Sequence, residues 1–139
     1  MDKNPIETIA LELAILARRV TSMTTYKKDT VLDRSAYLLL HQIATNGSAG
    51  VKALAEEFNL NVSTVSRQSA ALEQKGYVAR VPDPVDGRAF SLQITPRGER
   101  ELHEYRHDRV TRIEELLKHW SEEERRTFGE LLAKFNRTF

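Results

Sequence analysis

The chain has 139 residues, of which 40% are hydrophobic and 29% charged, with a net charge of +1. These values predict one folded domain and argue against disorder. The absence of cysteine excludes disulfides, cysteine zinc sites and thiol redox sensing. Because the sequence has no apolar run of membrane-spanning length and no signal-peptide core, we expect a cytoplasmic protein without a membrane partner.

The first predicted helix carries apolar residues at alternating spacings of three and four. They are Ile6, Ile9, Leu13, Leu16, Val20 and Met23. This spacing is typical of a narrow seam between helices, and Pro5 suits a first helical turn. A second helix is predicted to start near Asp33 and to end at Asn46-Gly47.

Residues 51–75 have the pattern of two short helices joined by a tight turn. The first helix should bury one face, because its apolar residues recur at i, i+3, i+4 and i+7: Val51, Leu54, Ala55 and Phe58. Asn61 is a good N-cap for the second helix, which should run from about Val62 to Lys75. Gly76 suits a left-handed C-terminal cap. This is the helix-turn-helix pattern.

The second of these helices has two different faces. Val65, Ser69 and Leu72 should pack on the first helix. The outer face combines small, polar and basic side chains, namely Ser63, Arg67, Ala70 and Gln74, with Ser66 flanking them, and Thr64 adds a hydroxyl at the helix start. Hydroxyls can bond phosphates or base edges, Arg67 can bind guanine in a bidentate manner, and Ala70 can touch a thymine methyl. The alternative is an ordinary surface helix whose polar side chains face water.

A β-hairpin is predicted next, with strands at residues 77–81 and 89–95 and an Asp-Gly turn. Arg88 lies at the exposed base of the second strand, and the Asp86 carboxylate can orient its guanidinium. An arginine on a hairpin tip suits the minor groove, where negative potential concentrates at narrow A·T stretches. The alternative is a solvent-exposed ion pair that contributes little.

Two more helices should follow the hairpin. Thr95-Pro96 opens a long helix to about Trp120, and Ser121 to Glu124 form a capping box that starts the last helix. Their apolar residues are Leu102, Tyr105, Val110, Ile113, Leu116, Leu117, Trp120, Phe128, Leu131, Leu132, Phe135 and Phe139. One small domain could not easily bury these stripes and the first seam, which favours interlocking with a second copy. The alternative is that these helices cover their own core.

A competing motif lies in the long helix. His103-Glu104-Tyr105-Arg106-His107 matches HExxH, in which two histidines share a helix face and can bind zinc beside a general base. The surrounding helix is heavily charged, whereas a catalytic zinc needs a partly dry cavity, and no third ligand is marked downstream. We therefore predict no metal, no cofactor and no enzymatic activity.

The order and spacing of these motifs resemble the MarR family of bacterial transcription regulators. The resemblance lies in Leu54-Ala55, Ser63 to Arg67, Leu72 to Val78, Asp83 to Arg88 and Ile94 to Gly98. It implies a mainly α winged helix-turn-helix fold with a small β-hairpin wing, and a dimer that binds pseudo-palindromic operators. In many relatives a small ligand or an oxidised thiol releases the DNA. The sequence departs from the family pattern at two positions. Relatives often carry a larger apolar residue where this chain has Ser69, and a second basic residue of the wing where it has Gly87.

These features predict one domain over residues 1–139, with a DNA-binding lobe at 33–95 and dimerisation helices at 1–32 and 96–139. The predicted function is a sequence-specific transcription regulator, a repressor that binds double-stranded DNA as a homodimer. The predicted DNA contacts are Asn61, Ser63, Thr64, Ser66, Arg67, Ala70, Arg80, Asp86 and Arg88.

A pocket for a small-molecule inducer is predicted where the two lobes meet, with Tyr37, His41 and Tyr105 as its polar groups. Two other functions are open alternatives. A winged helix used only for protein–protein contact would show no salt-dependent DNA affinity, and the HExxH motif would belong to a zinc hydrolase.

Overall fold

The computed structural model describes residues 4–24, 32–83 and 88–139. Within these residues the chain forms six helices and one antiparallel hairpin. The elements are α1 (Pro5–Thr24), α2 (Arg34–Asn46), α3 (Val51–Phe58), α4 (Val62–Gln74), β1 (Val78–Pro82), β2 (Phe90–Ile94), α5 (Pro96–Leu116) and α6 (Glu122–Asn136). The predicted fold class is confirmed, and the predicted bounds of both helix-turn-helix helices and both strands are correct to within two residues.

The chain divides into a first unit, Met1–Tyr105, and a second unit, Arg106–Phe139, and the boundary falls inside α5. The core of the first unit is built from residues of α2 to α4, the hairpin and the start of α5. Its buried side chains are Leu32, Leu39, Leu40, Ile43, Ala49, Leu54, Ala55, Val65, Leu72, Tyr77, Val78, Leu92 and Leu102. Ala49 and Leu92 also exchange two backbone hydrogen bonds of 3.0 and 2.8 Å, which tie the α2–α3 connection to β2.

Capping side chains fix where the helices begin. The Asp33 carboxylate accepts a 2.8 Å hydrogen bond from the Ala36 amide at the start of α2. Ser121 and Glu124 form a reciprocal capping box at the start of α6, with hydrogen bonds of 3.1 and 2.9 Å. These side chains satisfy amides that have no partner within their own helix, so the predicted start sites of both helices are confirmed.

The end of α4 is a glycine-dependent turn. Gly76 has a φ of +80°, its amide donates to the Glu73 carbonyl, and the Tyr77 amide donates to the Leu72 carbonyl, both at 3.0 Å. These two bonds close a Schellman motif, and the side chains of Leu72 and Tyr77 are both buried beneath it. The predicted left-handed cap at Gly76 is confirmed, and it sets the direction in which the chain enters β1.

The end of α5 differs from the prediction, which placed it near Trp120. The helix ends at Leu116, and the chain turns over residues 117–120. The guanidinium of Arg125 donates to the Leu117 carbonyl from Nη2 at 2.8 Å and from Nε at 3.3 Å. The same carbonyl accepts the Trp120 amide at 2.9 Å, and the Ser121 amide that would bond it in a continued helix donates to Glu124 instead. The helix therefore stops before its apolar pattern does.

Large apolar side chains remain exposed on α1 and throughout the second unit. On α1 they are Ile6, Ile9, Leu11, Leu13, Ile15 and Leu16. In the second unit they are Val110, Ile113, Leu116, Trp120, Phe128, Leu131, Leu132, Phe135 and Phe139. Of the helices that the structure describes, none is long and apolar enough to cross a membrane.

Candidate nucleic-acid interface

The outer face of α4 is solvent-exposed and consists of small, polar and basic side chains. Its residues are Ser63, Ser66, Arg67, Ala70 and Gln74. The opposite face is buried through Val65, Ser69 and Leu72, which fixes the helix on the core of the first unit. The predicted division of the two faces is confirmed. The assignment of individual outer residues to DNA contacts stays a prediction.

The N-terminus of α4 is organised by one amide oxygen. Asn61 Oδ1 accepts hydrogen bonds from the Thr64 amide at 2.8 Å, the Thr64 hydroxyl at 2.7 Å and the Ser63 hydroxyl at 2.9 Å. The predicted N-cap is therefore confirmed, and the cap also orients both hydroxyls. Because each hydroxyl donates its proton to Asn61, its oxygen is left as an acceptor, suited to base amino groups rather than to phosphate oxygens.

Ser69 is the polar residue of the buried face of α4. Its side chain is 4% exposed, and in the described part of the chain its hydroxyl has no hydrogen-bond partner. A buried hydroxyl without a partner is unfavourable because it loses its hydrogen bonds to water. Ser69 thus stabilises the buried face of α4 less than an apolar residue of similar size would.

Arg80 lies on β1 but is held by other parts of the protein. Its Nε donates a 2.8 Å hydrogen bond to Glu73 Oε2 on α4. Its guanidinium carbon lies 4.2 Å from the centroid of the Phe90 ring on β2. The sequence predicted that Arg80 contacts DNA, and it did not predict the contacts of Arg80 with Glu73 and Phe90. The alternation along β1 was the available signal, because Arg80 shares a strand face with the buried Val78.

The wing is an antiparallel pair in which Val78 faces Ile94 and Pro82 faces Phe90. The Asp83 amide donates a 3.1 Å hydrogen bond to the Ala89 carbonyl and extends this pairing toward the tip. Arg88 is exposed at the base of the tip, as predicted. Asp86, the predicted partner of its guanidinium, lies outside the described residues, so the proposed orientation of Arg88 stays a prediction.

Thr95 joins the end of α4 to the start of α5. Its hydroxyl donates to the Gly76 carbonyl at 2.6 Å and accepts from the Gly98 amide at 3.0 Å. Its own amide donates to the Tyr77 carbonyl at 3.0 Å. The predicted N-cap is confirmed, and the structure adds that the first turn of α5 packs directly on the turn that follows α4.

Tyr77 lies in this junction with its side chain buried. Burial raises the pKa of its phenol above the ordinary value of 10.0, and the nearby carboxylate of Glu101 raises it further. The positive charge of Arg97, whose guanidinium carbon lies 5.8 Å from the centroid of the Tyr77 ring, acts in the opposite direction. The phenol of Tyr77 is therefore harder to ionise than an exposed tyrosine.

The structure brings together the three residues of the predicted ligand pocket. The rings of Tyr37 and Tyr105 stack with centroids 4.6 Å apart, and the rings of Tyr37 and His41 are tilted at 6.2 Å. The two tyrosines are half-buried against the core of the first unit, and His41 is exposed. Each stacked tyrosine thus covers one face of the other ring, and the imidazole remains exposed beside them. Their role in ligand binding stays a prediction.

The HExxH histidines, His103 and His107, are both exposed on α5. Across residues 4–24, 32–83 and 88–139, no group of three or more His, Asp or Glu side chains is placed to hold a metal ion. The described side chains thus supply no third ligand beside this motif.

Comparison with known proteins identifies the family. Residues 32–90 match the model of the MarR family. The chain is also 45% identical over 139 residues to the HTH-type transcriptional regulator YxaD of Bacillus subtilis strain 168, covering 99% of this chain and 97% of that protein. The chain belongs to the MarR family. MarR proteins are DNA-binding transcription regulators, so α3 and α4 are its helix-turn-helix and the hairpin is its wing.

Solved structures agree with this assignment of the fold. This chain superposes on the YusO protein of Bacillus subtilis with a TM-score of 0.73. The two are 23% identical, and the match covers 99% of this chain and 100% of that chain. The TM-score of this chain is 0.76 to Streptococcus pneumoniae FabT, whose structure contains DNA, at 19% identity and with 96% of each chain covered. The fold expected from the MarR resemblance is thereby confirmed.

Proposed function

We propose that this protein is a homodimeric repressor that binds a pseudo-palindromic operator in the cytoplasm and is released by a small ligand. The observation that carries the proposal is the exposed outer face of α4. This face presents Arg67 together with hydroxyl and small side chains, while Val65 and Leu72 anchor the opposite face in the core. A helix held in this way can enter a major groove without an acid or a bulky apolar residue in its path.

Base recognition is proposed to involve two arginines. Arg67, at the centre of the exposed face of α4, reads a guanine through two hydrogen bonds. Arg88, at the exposed base of the wing tip, enters a neighbouring minor groove where A·T base pairs narrow it. Asn61, Ser63, Thr64, Ser66 and Ala70 complete the contact surface on α4. The net charge of +1 makes this arrangement, rather than overall attraction, the source of affinity.

Dimerisation is proposed because α1 and the second unit expose more apolar surface than a monomeric protein usually does. In the second unit, Val110, Ile113 and Leu117 line an apolar groove of about 270 Å³, with Arg109, Glu114 and Arg125 at its edges. A second copy would cover these surfaces. We therefore assign residues 33–95 to a DNA-binding lobe, and residues 1–32 and 96–139 to dimerisation.

Release by a ligand is proposed at the cluster of Tyr37, His41 and Tyr105. Aromatic rings beside an imidazole suit a small aromatic acid, because the rings provide apolar contact and an imidazole N–H can donate a hydrogen bond to a carboxylate. A ligand there lowers DNA affinity only if it favours a dimer geometry that does not match the operator. By linkage, the operator must then weaken ligand binding by the same factor.

Selection of bound fragments from random duplex DNA tests the core of the proposal. We expect an inverted repeat whose half-site centres lie about one helical turn, or ~34 Å, apart. Affinity for the recovered site should fall steeply with salt concentration, since phosphate contacts release counterions. Recovery of no sequence, together with affinity that does not depend on salt, would favour a winged helix used only for protein contacts.

A further inference from the structure

We infer that Arg80 is a positioning residue that sets the wing against α4, the recognition helix of the proposed function, and that it acts through Glu73 and Phe90 rather than through DNA. We call these three residues the Arg80 brace. This inference rests on the proposed function for its effect on DNA, but its structural part can be measured without DNA.

The strand register places Arg80 on the inner face of the hairpin. Arg80 lies opposite Leu92, which is 1% exposed, and two residues after Val78, which is 2% exposed. Residues directly opposite each other in an antiparallel pair, and alternate residues along one strand, share a face. The arginine side chain therefore starts on the side of the wing that packs against the core, and only its outer part reaches solvent.

Each element that the brace joins contributes one group. Glu73 is in the last turn of α4, Arg80 is in β1 and Phe90 begins β2. The guanidinium lies between the Glu73 carboxylate, 2.8 Å from its Nε, and the Phe90 ring, 4.2 Å from its central carbon. One planar cation carried by β1 thus contacts both α4 and β2.

The same arrangement limits direct use of Arg80 by DNA. A phosphate that took the guanidinium would have to compete with the carboxylate already bound to Nε. The side chains of Arg80 and Glu73 are 53% and 37% exposed, so solvent weakens the ion pair and the brace tunes the wing rather than holding the fold together. Loss of the brace should therefore change how the wing meets DNA while α4 still reads its bases.

Glu73→Gln separates the brace from a phosphate contact, because removing an acid cannot remove a bond to phosphate. The DNA probes are the inverted repeat recovered by selection, flanked by A·T tracts or by G·C base pairs. We expect Glu73→Gln to reduce the preference for A·T flanks about two- to five-fold, the range of an exposed ion pair, with discrimination at the Arg67 base unchanged. Glu57→Gln removes the same charge from α3 and should leave both preferences unchanged.

Arg80→Lys is a second test of the inference. Lysine keeps the positive charge that a phosphate contact needs, but it loses the planar contact with Phe90. In the brace, Arg80→Lys and Glu73→Gln disturb one unit, so the double variant should lose no more flank preference than either single variant. If Glu73→Gln has no effect while Arg80→Ala weakens binding to all sequences equally, Arg80 is a phosphate contact and the inference is overturned.

Amide hydrogen exchange tests the structural part without DNA. Glu73→Gln should speed exchange at Val81, Asp83 and Ser91 about two- to five-fold, with no change for Glu57→Gln. Unchanged exchange in these strands would overturn the brace even if DNA binding were normal. If the exchange changes as expected but the wild-type protein prefers no duplex sequence, the brace stands as a contact within the wing and the proposed function fails.

Discussion

Gly98 and the backbone of Tyr77 are in direct contact, and a Cβ atom at Gly98 would overlap the Tyr77 carbonyl oxygen. The same carbonyl accepts the Thr95 amide at 3.0 Å, so it cannot move away without breaking the junction between α4 and α5. We expect Gly98→Ala to destabilise the protein by about 3 kcal/mol or to prevent folding. Urea unfolding measures the change.

Gly129→Ala is the matched control, because no described atom lies within 4 Å of a Cβ at that position in α6. Alanine is the better helix former, so this substitution should stabilise the protein by about 1 kcal/mol. A shift in the same direction for both variants would contradict the close approach at Gly98.

Arg67→Ala and Arg88→Ala should impair DNA binding in different ways. Arg67→Ala should lose on the order of 1–3 kcal/mol of binding free energy and relax preference at one base pair of each half-site. Arg88→Ala should weaken binding mainly where A·T base pairs narrow the flanking minor groove. Affinities on a panel of operator variants distinguish the two. Equal losses on every sequence, including random DNA, would make both residues phosphate contacts.

Leu131→Asp should dissociate the proposed dimer. Leu131 is 57% exposed in the described chain, so a carboxylate there disturbs the fold little, but it would be buried in an apolar interface. Sedimentation equilibrium should show the dimer dissociation constant rising about 100-fold or more, the range of an interface hot spot. Arg126→Gln makes the same change in charge elsewhere on α6 and should have no such effect. A wild-type protein that is monomeric at micromolar concentration would rule the dimer out.

Ser69→Ala should raise stability, because it removes a buried hydroxyl that lacks a hydrogen bond in the described part of the chain. We expect the free energy of unfolding to rise by about 1–2 kcal/mol, because the desolvation penalty of the hydroxyl is removed and alanine has the better helix propensity. Ser66→Ala, at an exposed position of the same helix, isolates the propensity contribution of about 0.5 kcal/mol. Equal gains for the two variants in urea unfolding would show that the Ser69 hydroxyl is satisfied.

Tyr77 should make the protein sensitive to alkaline pH. Its pKa is raised in the folded state, mainly by burial, so the neutral phenol is favoured by folding. This contribution is fully present below the unfolded pKa of about 10 and is lost as pH rises through the higher folded value. Above pH 10, Tm should fall more steeply for the wild-type protein than for Tyr77→Phe, with equal slopes between pH 7 and 8. Parallel slopes at all pH values would contradict the raised pKa.

Local patterns predicted most of the helix-turn-helix correctly. The apolar spacing in α3, the amide side chain of Asn61 and the glycine at position 76 each determine structure through neighbours a few residues away. For this reason the bounds of α3 and the inner and outer faces of α4 could be derived without knowledge of tertiary contacts.

Features that depend on distant partners could not be derived in this way. The contacts of Arg80 with Glu73 and Phe90 become visible only when the strand register and the position of α4 are known. The end of α5 involves groups of the next helix, because Arg125 binds the Leu117 carbonyl and Glu124 binds the Ser121 amide. The need for glycine at position 98 becomes visible only when the backbone of Tyr77 lies against it.

The hydroxyl of Thr95 has a mechanical consequence for the proposed release by a ligand. It links the last turn after α4, at Gly76, to the first turn of α5, at Gly98, with hydrogen bonds of 2.6 and 3.0 Å. Rotation of α5 about its own N-terminus would therefore carry the C-terminal end of the recognition helix with it. The stacked ring of Tyr105 lies on the same helix, so a ligand at the proposed site would act on a helix that is hydrogen-bonded to the turn after α4.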